Sequence, residues 1–289
     1  DKTKLIRFPA QNTTADYDVV ECTVASTVKE IAPYAFASTG VTDVNLPSGL
    51  ETIGDYAFYS ATKLVDITIP DSVKTIGVGA FRDCWKMTKA TLPEGLETIP
   101  RECFIGCRKL ESVNIPDSVT TIGNMAFTGC ALKEINISKN LTEISIPGYT
   151  FSGCPAAITV DAANPNYSAD ERGVLYNKDK SLLLHCPNFE KAFTFDINCN
   201  IDQYAFYNCA NLTDVTFSYA IKKIPYAAFG SCGSLKITTV PDTVRMIDQV
   251  AFDGCGMTEF YLPDSVEYVG TQAFSSTPLT HFEFNDIVD

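Results

Sequence analysis

The most regular feature of the sequence is a phenylalanine, usually preceded by alanine, that recurs about every 23 residues. Five residues before each of these phenylalanines stands an isoleucine, or a valine in the last copy. Such regular spacing predicts a repeat protein in which both residues form interior columns. The phenylalanines are Phe36, Phe58, Phe81, Phe104, Phe127, Phe151, Phe206, Phe229, Phe252 and Phe274, and the aliphatic residues are Ile31, Ile53, Ile76, Ile99, Ile122, Ile146, Ile201, Ile224, Ile247 and Val269.

A second pattern, L-x-x-I-x-I-P, lies between successive phenylalanines and is clearest at Leu64–Pro70 and Leu110–Pro116. Its end alternates apolar and polar residues, which predicts a half-buried strand. Proline cannot donate a backbone hydrogen bond and ends the strand. A short extended stretch such as Ser72–Gly77 follows, and then a tight turn or short helix around Ala-Phe.

A unit of about 23 residues cannot bury its apolar side alone, but stacked units can. We therefore expect a right-handed leucine-rich-repeat solenoid of about ten coils, with one strand of each coil in a single parallel sheet. The repeat runs through the sequence without a change in composition, so residues 1–289 are expected to form one domain.

The interval between Phe151 and Phe206 is longer than one repeat and predicts an insertion at about residues 158–192. Two apolar runs in Gly173–Leu184 flank a polar Asn-Lys-Asp-Lys turn, which indicates a β-hairpin. The hairpin is either an elaborated coil or a protruding loop that shapes a binding face. The first nine residues match Asp179–Pro187, so the chain is expected to begin inside a similar hairpin and the natural protein to continue upstream.

The charge balance argues against two classes of partner. The formal net charge is −13, and the phosphates of a nucleic acid or the lipids of an anionic membrane surface require a basic face. The sequence has no run of about 18 apolar residues, so no membrane insertion is expected.

Seven of the eleven cysteines stand three residues after a repeat phenylalanine, where other coils have Thr39, Ala61 or Thr277. A position that accepts Cys, Ala or Thr requires a small buried side chain, so these cysteines are expected to be reduced thiols. One disulfide among the four outside this column is left open. The column contains Cys84, Cys107, Cys130, Cys154, Cys209, Cys232 and Cys255, and the others are Cys22, Cys103, Cys186 and Cys199.

Candidate chemistry is sparse. Cys103 and Cys107 are the only closely spaced metal ligands, and both occupy repeat positions, so no metal site is expected. The two histidines, His185 and His281, are far apart and have no nucleophile motif nearby. No phosphate-binding or dinucleotide-binding glycine motif is present, so neither cofactor nor catalysis is expected.

Several short motifs recur across the repeats. They resemble the BspA-like leucine-rich repeats of bacterial surface and secreted proteins. The resemblance covers nearly the whole chain and implies a leucine-rich-repeat fold, an extracellular or cell-surface location and a role in adhesion or partner recognition, without catalytic residues. The motifs are IPDSV at Ile69–Val73 and Ile115–Val119, LPDSV at Leu262–Val266, TIG at Thr121–Gly123, and AF-x-GC at Ala126–Cys130 and Ala251–Cys255.

The residues two and four positions after each strand leucine are expected to point away from the core and form an open face, where repeat proteins usually bind. Toward the C-terminus larger groups interrupt a pattern of Thr, Asn and Asp, and exposed aromatic residues are typical anchors. We expect a non-catalytic module that binds a protein or glycan here. Alternatively, these are solvated strand residues of a structural spacer that presents other domains. The candidate partner-binding residues are Asp214, Ile237, Glu259, Tyr261 and His281.

Overall fold

The computed structural model describes residues 2–8, 20–188 and 191–284. These described residues wind into stacked coils of short parallel strands, about twelve turns, with almost no helix. The chain divides into two compact units. The first contains Asp1–Ser145 and Thr159–Pro165, and the second contains Ile146–Ile158 and Asn166–Asp289.

The first unit is built from strands of two to four residues. In chain order they are β1 (Lys4–Leu5), β2 (Glu21–Thr23), β3 (Glu30–Ile31), β4 (Asp43–Asn45), β5 (Thr52–Ile53), β6 (Asp66–Thr68), β7 (Thr75–Ile76), β8 (Lys89–Thr91), β9 (Thr98–Ile99), β10 (Ser112–Asn114), β11 (Thr121–Ile122), β12 (Glu134–Ile137) and β13 (Glu143–Ile144).

Each coil contributes two strands rather than the single one expected from the sequence. The face strands come from L-x-x-I-x-I and pair in parallel as β2–β4 and β6–β8–β10. The return strands come from the extended stretch after the proline and pair as β1–β3–β5–β7 and β9–β11–β13. Two interrupted ladders therefore replace the continuous sheet, because the return stretch also alternates exposed and buried residues.

Equivalent residues of successive coils pair with each other, which produces the interior columns. Ile67 of β6 lies beside Ala90 of β8, and both are buried while Asp66 and Lys89 are exposed. Burial of one residue in every two holds the register, because a slip of one position would move each apolar side chain into water.

The short motifs that recur from repeat to repeat have local structural causes. In IPDSV the proline carbonyl accepts a hydrogen bond from the valine amide three residues later, at 3.0 Å for Pro70 and Val73. This turn redirects the chain from the face strand toward the return strand. In TIG the glycine lies where adjacent coils approach closely. A Cβ at Gly123 would collide with the backbone nitrogen of Arg101, so this position requires glycine.

The Ala-Phe segment is a tight turn with a left-handed residue two positions before the phenylalanine and another two positions after it. Around Phe104 these residues are Glu102 and Gly106, with φ of 60° and 75°. The turn aims each ring into the core, where Phe104 stacks between Phe81 and Phe127 at centroid distances of 5.4 and 5.7 Å. The predicted phenylalanine column is confirmed by burial at nine positions, whereas Phe274 is only partly buried.

The second unit repeats this architecture around the insertion. Its face strands pair as β18–β20 and β23–β25, and its return strands include β17–β19 and β21–β22–β24. The elements from Pro147 onward are α1 (Pro147–Thr150), β14 (Ala157–Val160, which extends into the first unit), β15 (Tyr167–Ala169), β16 (Leu175–Asn177), β17 (Leu182–His185), β18 (Ala192–Thr194), β19 (Asn200–Ile201), β20 (Asp214–Thr216), β21 (Lys223–Ile224), β22 (Met246–Ile247), β23 (Glu259–Leu262), β24 (Tyr268–Val269) and β25 (His281–Phe284).

The predicted hairpin is confirmed. β15, β16 and β17 form an antiparallel meander, and β17 then pairs in parallel with β19. Val174 and Leu183 are fully buried, so the hairpin is an elaborated coil whose polar turn alone reaches solvent. Two residues of the predicted insertion, Phe189 and Glu190, lie outside the described residues.

Two positions of the aliphatic column differ from the prediction. In the coil before the insertion Ile144, not Ile146, pairs with Ile122 and is buried. Ile146 instead precedes the short helix α1 in a left-handed conformation, because Pro147 begins that helix. Val269 lies in the last described return strand and is 40% exposed, because no later return strand covers it within residues 2–284.

The cysteine column is buried, and the structure holds the eleven cysteines, all within the described residues, as thiols. A thiol in this column typically donates a hydrogen bond to the carbonyl of the phenylalanine one coil earlier, as from Cys107 Sγ to Phe81 O at 3.1 Å. Equivalent bonds join Cys84 to Phe58 at 3.2 Å and Cys255 to Phe229 at 3.1 Å. Cysteine therefore fills a small space and also gives a second hydrogen bond to a buried carbonyl that already accepts one from a backbone amide.

Thiol counting tests this arrangement. In denaturant without reductant we expect at least about seven reactive thiols per chain, because parallel side chains in one column do not provide disulfide geometry. Prior reduction should raise this count little. A count of two or fewer would contradict the thiol column and indicate an oxidised framework.

Candidate partner-binding surface

An exposed cluster of aromatic and charged residues lies on the last two face strands of the second unit. β23 and β25 pair in parallel, which places Glu259 beside His281 and Tyr261 beside Glu283. Their strand neighbours Phe260 and Phe282 point the other way and pack in the core. Alternation along two paired strands thus brings four polar side chains together on one exposed patch, which we call the face cluster.

Ring and hydrogen-bond contacts hold the face cluster together. The rings of Tyr261 and His281 are 5.6 Å apart and tilted by 55°. Tyr261 Oη donates to Glu259 Oε2 at 3.4 Å, and His281 Nε2 lies 3.4 Å from Glu283 Oε2. The negative charge of Glu259, followed by desolvation and the charge of Glu283, raises the pKa of Tyr261, so its hydroxyl remains a donor at neutral pH.

The chemistry of the face cluster suits recognition of a cation or a hydroxyl-rich ligand. Tyr261 is 41% exposed and presents a large aromatic surface between two carboxylates. Carboxylates accept charge-assisted hydrogen bonds from lysine or arginine, and a tyrosine ring can bind the same cation through its face.

The structure brings together three of the five predicted site residues, Glu259, Tyr261 and His281. Asp214 lies on β20, and its Oδ1 accepts a hydrogen bond from the backbone amide of Val215 at 2.9 Å. It belongs to the same type of strand but is separated from the face cluster by residues 235–240, the face segment of the intervening coil, which is not an assigned strand.

The prediction that Ile237 lies on the open face is wrong. Its side chain is buried, with 6% exposure, whereas Thr238 and Thr239 are both exposed. The local backbone departs from strict alternation so that the isoleucine enters the core, because burial of such a side chain is worth about 1.5–3 kcal/mol. Contact with the next coil is kept by Tyr261 N, which donates to Thr238 O at 2.7 Å.

Two contributors to the cluster were not among the predicted site residues. Glu283 stands four residues after Leu279, so the same face rule assigns it to the surface. Thr239 Oγ1 donates to the carbonyl of Tyr261 at 2.9 Å and fixes the backbone below the ring. The hydrogen bond from Thr239 depends on how its coil is aligned with β23, so sequence spacing alone does not reveal this contact.

The two histidines have different environments. His281 is exposed in the face cluster, whereas His185 is 2% exposed, packs 5.7 Å from the Phe151 ring, and has no hydrogen-bond partner at either ring nitrogen among the residues that the structure describes. Burial lowers the pKa of His185 from its ordinary value to about 3, so the ring is neutral near pH 7.

Charged groups of the insertion form a structural network. Arg172 pairs with Asp170 at 2.8 Å and with Asp196 at 3.2 Å, and it lies 4.6 Å from the Phe193 ring centroid. Tyr176 Oη also donates to Asp170, at 3.2 Å. These groups border a shallow cleft and satisfy one another.

Comparison with known families explains the recurring motifs. Residues 29–158 and 184–289 match six copies of the BspA type leucine rich repeat region. The match covers well over half of the sequence, and the chain belongs to this family. The described residues contain no helix with the length and apolar character needed to cross a membrane.

Two solved structures are similar over most of the chain. A leucine rich cell surface protein from Faecalibacterium prausnitzii is 26% identical, with a TM-score of 0.67 over 93% of this chain and 88% of that one. The pneumococcal vaccine antigen PcpA is 19% identical, with a TM-score of 0.68 over 99% of this chain and 68% of that one, and it supports the fold alone. Among curated proteins, none matches this sequence.

Proposed function

We propose that this chain is a non-catalytic binding module of a bacterial cell-surface or secreted protein, and that the face cluster of the second unit contacts the partner. The repeat family and the cell surface protein from Faecalibacterium prausnitzii support the location. The exposed Tyr261 and His281 between Glu259 and Glu283 support the site, because aromatic residues rimmed by charges are typical binding anchors.

Equivalent positions of the first unit give a contrast. Its described face strands from β4 to β12 present Asp43 and Asn45, Asp66 and Thr68, Lys89 and Thr91, Ser112 and Asn114, or Glu134 and Asn136. These polar and charged groups suit solvation and strand propensity, and they offer no large ring to a partner. The face cluster departs from this pattern, which supports binding over a purely structural spacer.

The charges favour a particular partner. Two carboxylates beside two rings complement a lysine- or arginine-rich patch on a protein, while the tyrosine hydroxyl and ring also suit a glycan. We therefore propose a protein with a basic patch as the first choice and a glycan as the second. A phosphate polymer would be repelled by Glu259 and Glu283.

An array of purified extracellular host proteins and glycans tests this proposal. For a partner found on the array, Tyr261→Ala combined with His281→Ala should weaken binding at least about tenfold, because it removes both rings of an anchor. The matched control is Asp43→Ala at a face strand of the first unit, which should bind like the parent.

Three results would count against the proposal. Unchanged affinity of the double variant would show that the partner does not bind at the face cluster. The exposed turn of the insertion at residues 177–181 is then the next surface to test. Loss of affinity in Asp43→Ala alone would move the site to the first unit. Absence of any partner at micromolar concentration would favour the structural spacer.

A further inference from the structure

A row of cations with one tryptophan lies on the first unit, in the turns that precede three of its face strands. In three consecutive coils, two residues follow the small buried position occupied by Ala61, Cys84 or Cys107. Trp85 is the only tryptophan of the sequence and is 48% exposed, and the protein as a whole is strongly acidic. We call this set the basic ridge, and it consists of Lys63, Trp85, Lys86, Arg108 and Lys109.

The three loops of the ridge share one backbone turn. The amide of Met87 donates to the carbonyl of Cys84 at 3.0 Å, and that of Leu110 donates to Cys107 at 2.9 Å. Just beyond the turns, the amide of Glu111 donates to the carbonyl of Thr88 at 3.0 Å and joins the coils. Successive ridge positions are thus one coil apart, or about 4.8 Å along the stack.

The second unit shows that the turn does not require these side chains. There the amides of Leu212 and Leu235 make the same hydrogen bonds, to Cys209 at 3.0 Å and to Cys232 at 2.9 Å. The two residues inside those turns are Ala210 and Asn211, or Gly233 and Ser234. Since neutral, mostly small residues form the same turn, the cations and the indole of the ridge are not needed for folding.

The ridge cations are also not used in ion pairs. Next to the ridge, Arg82 binds Glu102 at 2.6 Å and Lys133 binds Glu111 at 2.5 Å. Across the part of the chain that the structure describes, none of the ridge cations forms such a pair with a carboxylate. Arg108 lies 5.8 Å from the Trp85 ring centroid, which orders the guanidinium without neutralising it.

We propose that the basic ridge binds an anionic polysaccharide that runs along the stack of coils. A chain with regularly repeated carboxylate or sulfate groups can meet a cation at each of three coils, and the flat indole can stack on a sugar ring. The ridge is a line of similar turns repeated once per coil, which suits an extended chain with a repeating charge better than a folded acidic protein. This site is separate from the face cluster and does not depend on it.

The experiment measures binding of heparin, a sulfated polysaccharide, to the whole chain at low salt. The ridge variant W85A/K86N/R108G/K109S carries the residues found in the equivalent turns of the second unit, so the turns are expected to form and the melting temperature to stay close to the parent's. The control K178A/K222A/K236A removes the same number of cations from exposed positions of the second unit. We expect the ridge variant to bind heparin at least about tenfold more weakly and the control about as well as the parent.

A second ligand, polyglutamate, distinguishes an anionic polysaccharide from an acidic peptide as the occupant of the ridge. The single variant W85A should weaken heparin binding about fivefold through loss of the stacking ring, while binding of polyglutamate should stay unchanged. Equal heparin binding by the ridge variant and the control, or no heparin binding by the parent, would overturn the proposal. Equal effects of W85A on both polyanions, with polyglutamate bound more tightly, would overturn the polysaccharide in favour of an acidic peptide.

Discussion

Replacement of Phe104 by alanine is expected to lower the free energy of unfolding by about 3–5 kcal/mol, since a fully buried ring is lost and a cavity is left. The ring stacks on both sides, against Phe81 at 5.4 Å and Phe127 at 5.7 Å, so neighbouring coils cannot close the space without breaking their backbone ladder. Urea titration followed by circular dichroism measures the loss, and a lower melting temperature accompanies it.

The control for this prediction is Val65→Ala in the same unit. Val65 is 41% exposed, so its loss should change the free energy of unfolding by no more than about 0.5 kcal/mol. A similarly small effect of Phe104→Ala would contradict the stacked column, because it would mean that the ring contributes little to holding adjacent coils together.

Acidification is expected to destabilise the second unit through His185. Burial lowers the pKa of this ring to about 3, whereas an unfolded histidine titrates near its ordinary value of 6.5. Between pH 6.5 and pH 3 the His185 ring is protonated in the unfolded chain but neutral in the folded chain. The stability present above pH 6.5 is therefore lost as the pH falls toward 3. At pH 4.5 the loss amounts to roughly 3 kcal/mol.

The variant His185→Leu isolates this contribution. Leucine fills a similar volume beside Phe151 and cannot be protonated, so the parent should lose more stability than the variant between pH 7.5 and pH 4.5, by roughly 3 kcal/mol. The control His281→Leu retains the buried imidazole and should keep the parent's pH dependence. Equal slopes for the parent and His185→Leu would show that the ring is hydrated or hydrogen-bonded in the folded protein.

Among the described residues the buried ring of His185 has no hydrogen-bond partner, which is unusual, and the insertion accounts for the position of this ring. His185 ends β17, which leaves the antiparallel meander and enters the parallel return ladder. The side chain is carried into the core beside the phenylalanine column. The sequence shows the histidine and the hairpin separately, but it does not show that the strand turns this residue inward.

Much of the molecule follows from the sequence alone, because one local rule acts in every coil. A phenylalanine every 23 residues and an alternating strand require a stack, since neither can be buried within a single coil. The same periodicity identified the small cysteine position, and the polar turn between two apolar runs identified the hairpin. Glu259, Tyr261 and His281 were assigned to one face because strict alternation holds in β23 and β25.

Tertiary structure decided the positions at which regular spacing along the sequence is too short to recognise or conflicts with burial in the core. Apart from β17, the return strands are only two residues long, so their alternation is too short to recognise until the next coil pairs with them. Ile237 turned inward and Ile144 replaced Ile146 because burial in the core of each unit outweighed regular spacing along the chain. The basic ridge likewise became visible only when three turns, separated by 23 residues in sequence, were placed one coil apart in space.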